Sequence, residues 1–199
     1  MTNDELLVEK QKMKNSKILA LALLTVFTFS SCNNDDPEVV NEEEVITTVT
    51  TTLTAGSSVI TLTSRDLDGD GPNAPVITPV VGELKANTTY TGTTTFLNET
   101  VTPADDITAE VKEEGEDHQL FYQAPAAVGT FTYGDTDKNG KPIGLTFTLK
   151  TGATATTGNI TVVLRHLPAK SASGVATGDI TNAGGATDAS VTFPVKVVN

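Results

Sequence analysis

The sequence predicts an all-β domain: an antiparallel, Greek-key β-sandwich of immunoglobulin-like type, with about eight or nine strands and one short helix. The first observation is that 35 of the 199 residues are Thr, a residue that favours strands, as Val does. The second is that apolar and polar residues alternate through most of the chain after residue 44. The third is that Gly, Pro, Asn and Asp residues separate these segments at short intervals.

The predicted strands are defined by apolar residues that recur on one face. A turn at residues 55–58 joins the first two strands into a hairpin, and prolines at 75 and 79 make residues 76–81 at best an edge strand or an extended link. The apolar positions, in chain order, are Val45, Val49 and Leu53; Ile60 and Leu62; residues 90–97 around Gly92; Leu120 to Tyr122; Phe131 and Tyr133; Leu145, Phe147 and Leu149; Ile160, Val162 and Leu164; and Val191, Phe193, Val195 and Val197.

Two segments interrupt this strand pattern. Thr102 as N-cap and Pro103 as first helical residue predict a short helix that buries Ile107 and Val111 and ends at Gly115. Residues 169–187 are rich in Gly, Ala, Ser and Thr and predict a long loop before the last strand, and loops of this length are either functional or mobile. Pro194 and Lys196 face outward on that last strand, which is typical of an edge strand.

The first 31 residues predict a lipoprotein signal peptide. Four lysines precede the apolar residues 18–29, a segment too short to span a bilayer but suited to the core of a signal peptide. A signal peptide that starts at Met13 would be more usual in form than one that starts at Met1. Phe29-Ser-Ser-Cys32 resembles a bacterial lipobox, and that resemblance implies cleavage before Cys32 and lipid attachment to it. Lipid on Cys32 would hold the protein at a membrane, and the alternative is a cleaved secretory signal with an incidental Cys.

Residues 32–44 predict a lipidated, acidic, disordered tether, because they are polar and contain few apolar residues. Acidic residues shortly after a lipidated Cys resemble a surface-export signal of Bacteroidetes lipoproteins, which implies a location on the outer membrane, either periplasmic or at the cell surface, with the surface favoured. A solvated spacer explains the same composition. Residues 45–199 then form a single sandwich domain.

The composition excludes several classes of function. The net charge is −12, which repels nucleic-acid phosphates, so no nucleic-acid partner is expected. The single Cys cannot form an internal disulfide or a thiolate zinc site. No nucleophile elbow, P-loop, HExxH or GxGxxG motif occurs, so an enzyme is not expected.

Two loops carry alternate acidic residues, the pattern with which Ca²⁺ loops begin. The first Asp loop (residues 66–71) contributes Asp66, Asp68 and Asp70, and the second Asp loop (residues 135–140) contributes Asp135, Asp137 and Asn139. Neither has the Glu that ends an EF-hand loop, so each is a candidate for a looser Ca²⁺ site, the only cofactor the sequence suggests. Turn chemistry is the favoured explanation of both loops, most of all of the second, which joins two strands.

The two histidines are a weaker candidate for a metal site. His118 and His166 both lie at strand ends, and together with a carboxylate they could bind a transition metal. No spacing motif links them, so the sequence favours two ordinary half-buried or rim histidines.

Several runs along the chain resemble a family of Bacteroidetes lipoproteins that are commonly labelled "type 1 periplasmic binding fold superfamily protein". The label implies two α/β lobes, whereas the strand pattern predicts one all-β domain, and the family carries no activity that transfers to residues here. The matching runs cover residues 42–49, 66–71, 118–123, 164–166 and 178–185.

The functional prediction is a non-enzymatic, lipid-anchored β-sandwich that acts as a structural or interaction module, with an unidentified protein or glycan partner. The alternative is a ligand-binding module, glycan-specific or Ca²⁺-dependent, that uses the first Asp loop and the loop 169–187. A hydrolase with an unrecognised site is a third interpretation.

Overall fold

A computed structural model describes residues 44–69 and 71–199 of the chain. The predictions for the signal peptide, for Cys32 and for the tether up to residue 43 therefore lie outside the described residues, as does Asp70. Within the described part, no helix is both long enough and apolar enough to cross a membrane.

The described residues form an all-β sandwich, as predicted, with ten strands rather than eight or nine. The first sheet has six strands in the order β3-β2-β1-β5-β8-β7, and the second has four in the order β4-β10-β9-β6. The strands are β1 (Thr48–Ala55), β2 (Ser58–Arg65), β3 (Val76–Thr78), β4 (Gly82–Lys85), β5 (Thr89–Leu97), β6 (His118–Gln123), β7 (Gly129–Tyr133), β8 (Thr146–Thr151), β9 (Thr156–His166) and β10 (Ala186–Val198).

The connections agree with the predicted Greek key. Strands β1, β2 and β3 are antiparallel neighbours, and β5 returns through the other sheet to pair with β1 on its free side. The first hairpin turns at residues 56 and 57, because Ala55 pairs with Ser58. One pair departs from the antiparallel prediction, since β4 runs parallel to β10.

One apolar cluster fills the space between the sheets. It contains the alternating residues of the predicted strands, for example Leu53, Phe96 and Leu149, all fully buried. Polar threonines also enter this core: the hydroxyls of Thr51 and Thr94 hydrogen-bond to each other at 2.9 Å, and those of Thr94 and Tyr122 do so at 2.8 Å. These buried hydroxyls are therefore satisfied by one another. Val45, predicted to share this face, is exposed because the strand begins at Thr48.

The helix begins later than predicted. It spans Ile107–Glu113 (α1), and its N-cap is Asp106, whose carboxylate accepts from the Thr108 amide at 3.1 Å. Thr102 and Pro103 therefore precede the helix instead of starting it. Ile107 and Val111 are buried, as predicted. Asp106 is the N-cap because it lies directly before the apolar positions of the helix, and Asp caps a helix at least as well as Thr does.

Two other elements differ in part from expectation. The last strand, β10, lies between β4 and β9, but β4 pairs only with residues 195–198; the earlier part of β10, which includes Pro194, is an edge as predicted. The long loop 169–187 contains two short 3-10 turns, Val175–Thr177 and Ile180–Asn182. Its Val175 and Ala183 are fully buried against Phe121 and Val163, so it packs on the outer face of the four-stranded sheet.

Candidate functional site

In the first Asp loop, the described carboxylates accept hydrogen bonds from the loop itself and from Asn73 just after it. Asp66 accepts from the Gly69 amide at 3.0 Å. One oxygen of Asp68 accepts from the Asn73 side-chain amide at 2.6 Å and from its backbone amide at 3.3 Å. These Asn73 bonds lower the pKa of Asp68. The contacts are those of Asx-type turns, and the calcium hypothesis for this loop stays a prediction.

In the second Asp loop, both oxygens of Asp135 and of Asp137 accept hydrogen bonds. Asp135 accepts from the amides of Gly144 at 2.7 Å and Thr146 at 3.0 Å, one on each oxygen. One oxygen of Asp137 accepts from the amides of Asn139 and Lys141, both at 2.9 Å. Its other oxygen faces Lys170. The loop therefore directs its carboxylates inward, as a turn that positions β8 would.

Lys170 supplies a cation to this second loop. Its ammonium donates to Asp137 at 3.0 Å, to the Pro142 carbonyl at 2.9 Å and to the Gly115 carbonyl. The side chains of Lys170 and Asp137 are only 7% and 2% exposed. Burial alone would raise the pKa of Asp137, but bonds from the Lys141 amide and from Lys170 together hold it below its ordinary value. The three N–H groups of the Lys170 ammonium thus each have an acceptor, at the loop where the sequence suggested Ca²⁺. Binding of Ca²⁺ at this loop stays a prediction.

A cleft lies between β6 and β7, the strands at one edge of each sheet. Its volume is about 450 Å³, within the usual range for ligand sites. Tyr122, Phe131 and Phe147 form its aromatic floor, with ring centroids 4.1–5.6 Å apart. The whole of β7 lines one wall, and Thr177 and Gly178 of the long loop reach its rim.

The backbone of β7 is open along this cleft. Gly134 donates to the Thr146 carbonyl, and Val128 accepts from the Gly152 amide. Because bonded pairs alternate in an antiparallel ladder, Thr130 and Thr132 also turn their backbone groups towards β8. Phe131 and Tyr133 then direct their N–H and C=O groups to the open edge, where no described residue is bonded to them. On the facing strand, β6, the backbone groups of Leu120 are already hydrogen-bonded. Its amide donates to the Ile143 carbonyl at 2.7 Å, and its carbonyl accepts from the Tyr133 hydroxyl at 2.6 Å.

The chemistry of the cleft suits binding. No residue that lines it carries a carboxylate, imidazole, thiol or amine. Burial raises the pKa of Tyr133 to about 12 and that of Tyr122 well above its usual value. Both hydroxyls are therefore protonated hydrogen-bond donors at neutral pH, directed at the protein's own carbonyls. The described lining offers aromatic surface and backbone groups, and no acid–base pair.

The two histidines meet in space. His118 pairs with His166 across β6 and β9, and their rings stack with centroids 4.7 Å apart. His118 is fully buried, unlike the rim residue that the sequence favoured, and His166 is half-buried. His118 Nε2 lies 3.1 Å from Glu44 Oε1 and 3.9 Å from Asp188 Oδ2. Burial would lower the pKa of His118, but the carboxylates of Glu44 and Asp188 and the Glu114 carbonyl raise it overall.

The sequence named the two histidines as a weak metal candidate, but it could not show that they meet or which carboxylates join them. The histidines are 48 positions apart, and Glu44 and Asp188 come from opposite ends of the domain. Only the pairing of β6, β9 and β10 brings three of these residues together.

Comparison with known proteins identified no relative. No family model, no curated protein and no solved structure matches the chain.

Proposed function

We propose that this chain is a non-enzymatic, lipid-anchored outer-membrane lipoprotein that binds a protein partner by strand addition to the open edge of β7. The observation that carries the proposal is the pair of outward backbone groups on Phe131 and Tyr133 above an aromatic floor. Exposed sheet edges of this kind accept extended peptides, whose main-chain bonds supply affinity while pockets for alternate side chains supply specificity.

The partner is an extended protein segment with little charge. The cleft lining holds no charged side chain, so an ionised side chain placed over Phe131 would lose hydration without gaining a counter-ion. A segment that alternates apolar and small polar residues satisfies both the aromatic floor and the solvent-facing side. The lipid predicted on Cys32 and the acidic tether would hold this edge near the membrane, available to neighbouring proteins.

Photo-cross-linking in the native bacterium tests the partner. The full chain would carry a photo-reactive amino acid at Thr130 or at Thr132, which are both exposed on β7. In a strand paired with β7, the residues opposite Thr130 and Thr132 are also two positions apart. The two probes should therefore cross-link to one partner segment at positions two residues apart. The matched control is Thr91, an exposed residue of β5 that is paired with β1 on one side and with β8 on the other, and it should give no such adduct.

The outcomes separate the interpretations. Adducts two residues apart on one partner protein support strand addition. Adducts to residues 1–43 of the same chain, or to a second copy, contradict a partner protein. Adducts scattered over many proteins, or equal yields from Thr91, contradict the docking edge, and adducts to a glycan would favour the ligand-binding alternative.

A further inference from the structure

The cluster around His118 draws on four separate parts of the domain. His118 opens β6, His166 ends β9, and Glu44 lies just before β1. Asp188 comes from β10 at a β-bulge, because the pairing with β9 passes from Thr187 to Ala189 and skips it. Bulges re-aim a side chain out of the regular alternation and are frequent at functional sites. The carboxylate of Asp188 is in this way directed to His118, with its side chain 1% exposed.

Several polar atoms of this cluster are buried and have no hydrogen-bond partner among the described residues. They are His118 Nε2, His166 Nδ1 and Glu44 Oε2. Glu44 Oε1 is 3.1 Å from His118 Nε2, but the contact does not have the direction of a hydrogen bond. Buried polar atoms are almost always satisfied, and a group of exceptions in one place calls for a ligand that bonds to lone pairs.

The orientation of His118 fits a metal ligand. Its Nδ1 lies 3.2 Å from the backbone carbonyl of Glu114. With the proton on Nδ1 donated to that carbonyl, Nε2 presents its lone pair to the carboxylates. Metal-binding histidines are commonly oriented by such a bond from the other ring nitrogen.

The spacing is near that of one coordination sphere. His118, His166 and Asp188 each offer a ligand atom, all within 4.8 Å of one another. Ligand atoms about 2.1 Å from a tetrahedral Zn²⁺ lie about 3.4 Å apart, so a pair of ligand atoms at the 4.8 Å limit must approach by about 1.4 Å. The stacked rings must also tilt, because the lone pair of an imidazole lies in the ring plane.

We propose that His118, His166 and Asp188, with Glu44 beside His118, form a site for a divalent transition-metal ion of the Zn²⁺ type. Imidazoles combined with carboxylates suit Zn²⁺ and neighbouring metals better than Ca²⁺, which prefers oxygen ligands alone. The side chains of His118, Asp188 and Glu44 are at most 9% exposed, so the ion has a structural role. It joins the four-stranded sheet to Glu44, the last residue of the predicted tether, and so fixes the point where the tether enters the domain.

The experiment measures Zn²⁺ binding to the chelator-treated full chain by calorimetry, with Co²⁺ as a spectroscopic probe of geometry. We expect one Zn²⁺ per chain, a higher melting temperature, and the visible absorption of four-coordinate Co²⁺. His166→Gln and Glu44→Gln should each weaken Zn²⁺ binding by about 100-fold or more, at least the loss typical when a partner of a ligand is removed. Glu110→Gln, on the exposed side of α1, is the control and should bind as the unmodified chain does.

Two results would overturn the proposal. One is the absence of stoichiometric Zn²⁺ binding. The other is binding that both Gln variants retain in full while circular dichroism shows them folded, since the ion would then occupy a different place. Two variants are needed because His166 also contributes to the ring stack, whereas Glu44 lies outside the strands.

Discussion

Lys170 places its ammonium group among the carbonyls of Gly115 and Pro142 and the carboxylate of Asp137. It belongs to the long loop, whereas Asp137 belongs to the connection between β7 and β8, so one side chain joins two segments that the sequence alone treats as independent. The sequence pattern identified Asp135, Asp137 and Asn139 as a set. It could not show that a lysine 33 positions away provides the positive charge, because that proximity depends on how the loop packs.

Lys170→Met should destabilise the domain by about 3 kcal/mol. Methionine retains the apolar stem but leaves a buried carboxylate and two carbonyls without their donor, and removal of one partner from a buried pair typically has this effect. Urea unfolding of the full chain measures the change. Lys150→Met is the control, because Lys150 is exposed on β8 and surface changes usually stay within about 0.5 kcal/mol. Equal stability of the two variants would contradict the role of Lys170.

Glu99 offers a residue-scale prediction about pH. Arg65 donates to both oxygens of Glu99 at 2.7–3.0 Å, and Thr48 donates as well. These bonds, first that from Arg65, lower the pKa of Glu99 to about 2. Because the pKa is lowered, the ion pair stabilises the fold at pH values above the ordinary pKa of Glu. This stabilisation is lost as the pH falls through about 2.

An NMR titration of the Glu99 carboxyl carbon tests this prediction. The midpoint should lie near 2 in the unmodified chain and should rise towards about 4.3 in Arg65→Met. The effect should shrink in high salt, because the pair is exposed and therefore screened. A midpoint that Arg65→Met leaves unchanged would show that the ion pair does not form in solution.

At the scale of elements, the long loop 169–187 is held to the outer face of the four-stranded sheet. Its Val175 and Ala183 are fully buried against Phe121 and Val163, and the Ala169 amide donates to the Ala183 carbonyl at 2.6 Å. Gln119 also donates to the Val175 carbonyl at 2.8 Å. The composition of the loop predicted only a long connection, because Gly, Ala and Ser give no periodicity from which packing could be inferred.

Val175→Ala should release this loop. The lost methyl groups leave a small cavity that costs about 2 kcal/mol, and the Ala169 amide should lose protection against hydrogen exchange. Val59→Ala is the matched control, since Val59 is exposed on β2 and its loss should leave loop exchange unchanged. Full protection of Ala169 in Val175→Ala would mean that the small apolar cluster does not hold the loop.

At the scale of the whole molecule, the sandwich and most of its strands could be predicted because alternation is a local property of the sequence. Phe131 with Tyr133, and Phe147 with Leu149, lie on the strands that their spacing indicated. The short strand β4 was missed, since four residues with one Leu carry too little pattern. The open edge of β7 and the cluster at His118 depend on strand order, and strand order depends on contacts that no single segment encodes.

The proposed anchor gives a prediction for the intact protein. Cys32→Ala should abolish labelling by fatty acid and release the protein from membranes, because only a thiol at this position can take the lipid. Ser31→Ala is the control, since a small residue remains before the Cys and lipid attachment should continue. Membrane retention of the Cys32→Ala protein would contradict lipid anchoring through this residue.

Strand addition at β7 is tested most directly by hydrogen exchange at individual backbone amides of the full chain. Without a partner, the amides of Phe131 and Tyr133 should exchange faster than those of Thr130 and Thr132, which bond to β8. Addition of a synthetic peptide with the sequence identified by cross-linking should slow Phe131 and Tyr133 selectively. Protection of Phe131 and Tyr133 already present without the peptide, or unchanged by it, would contradict the account.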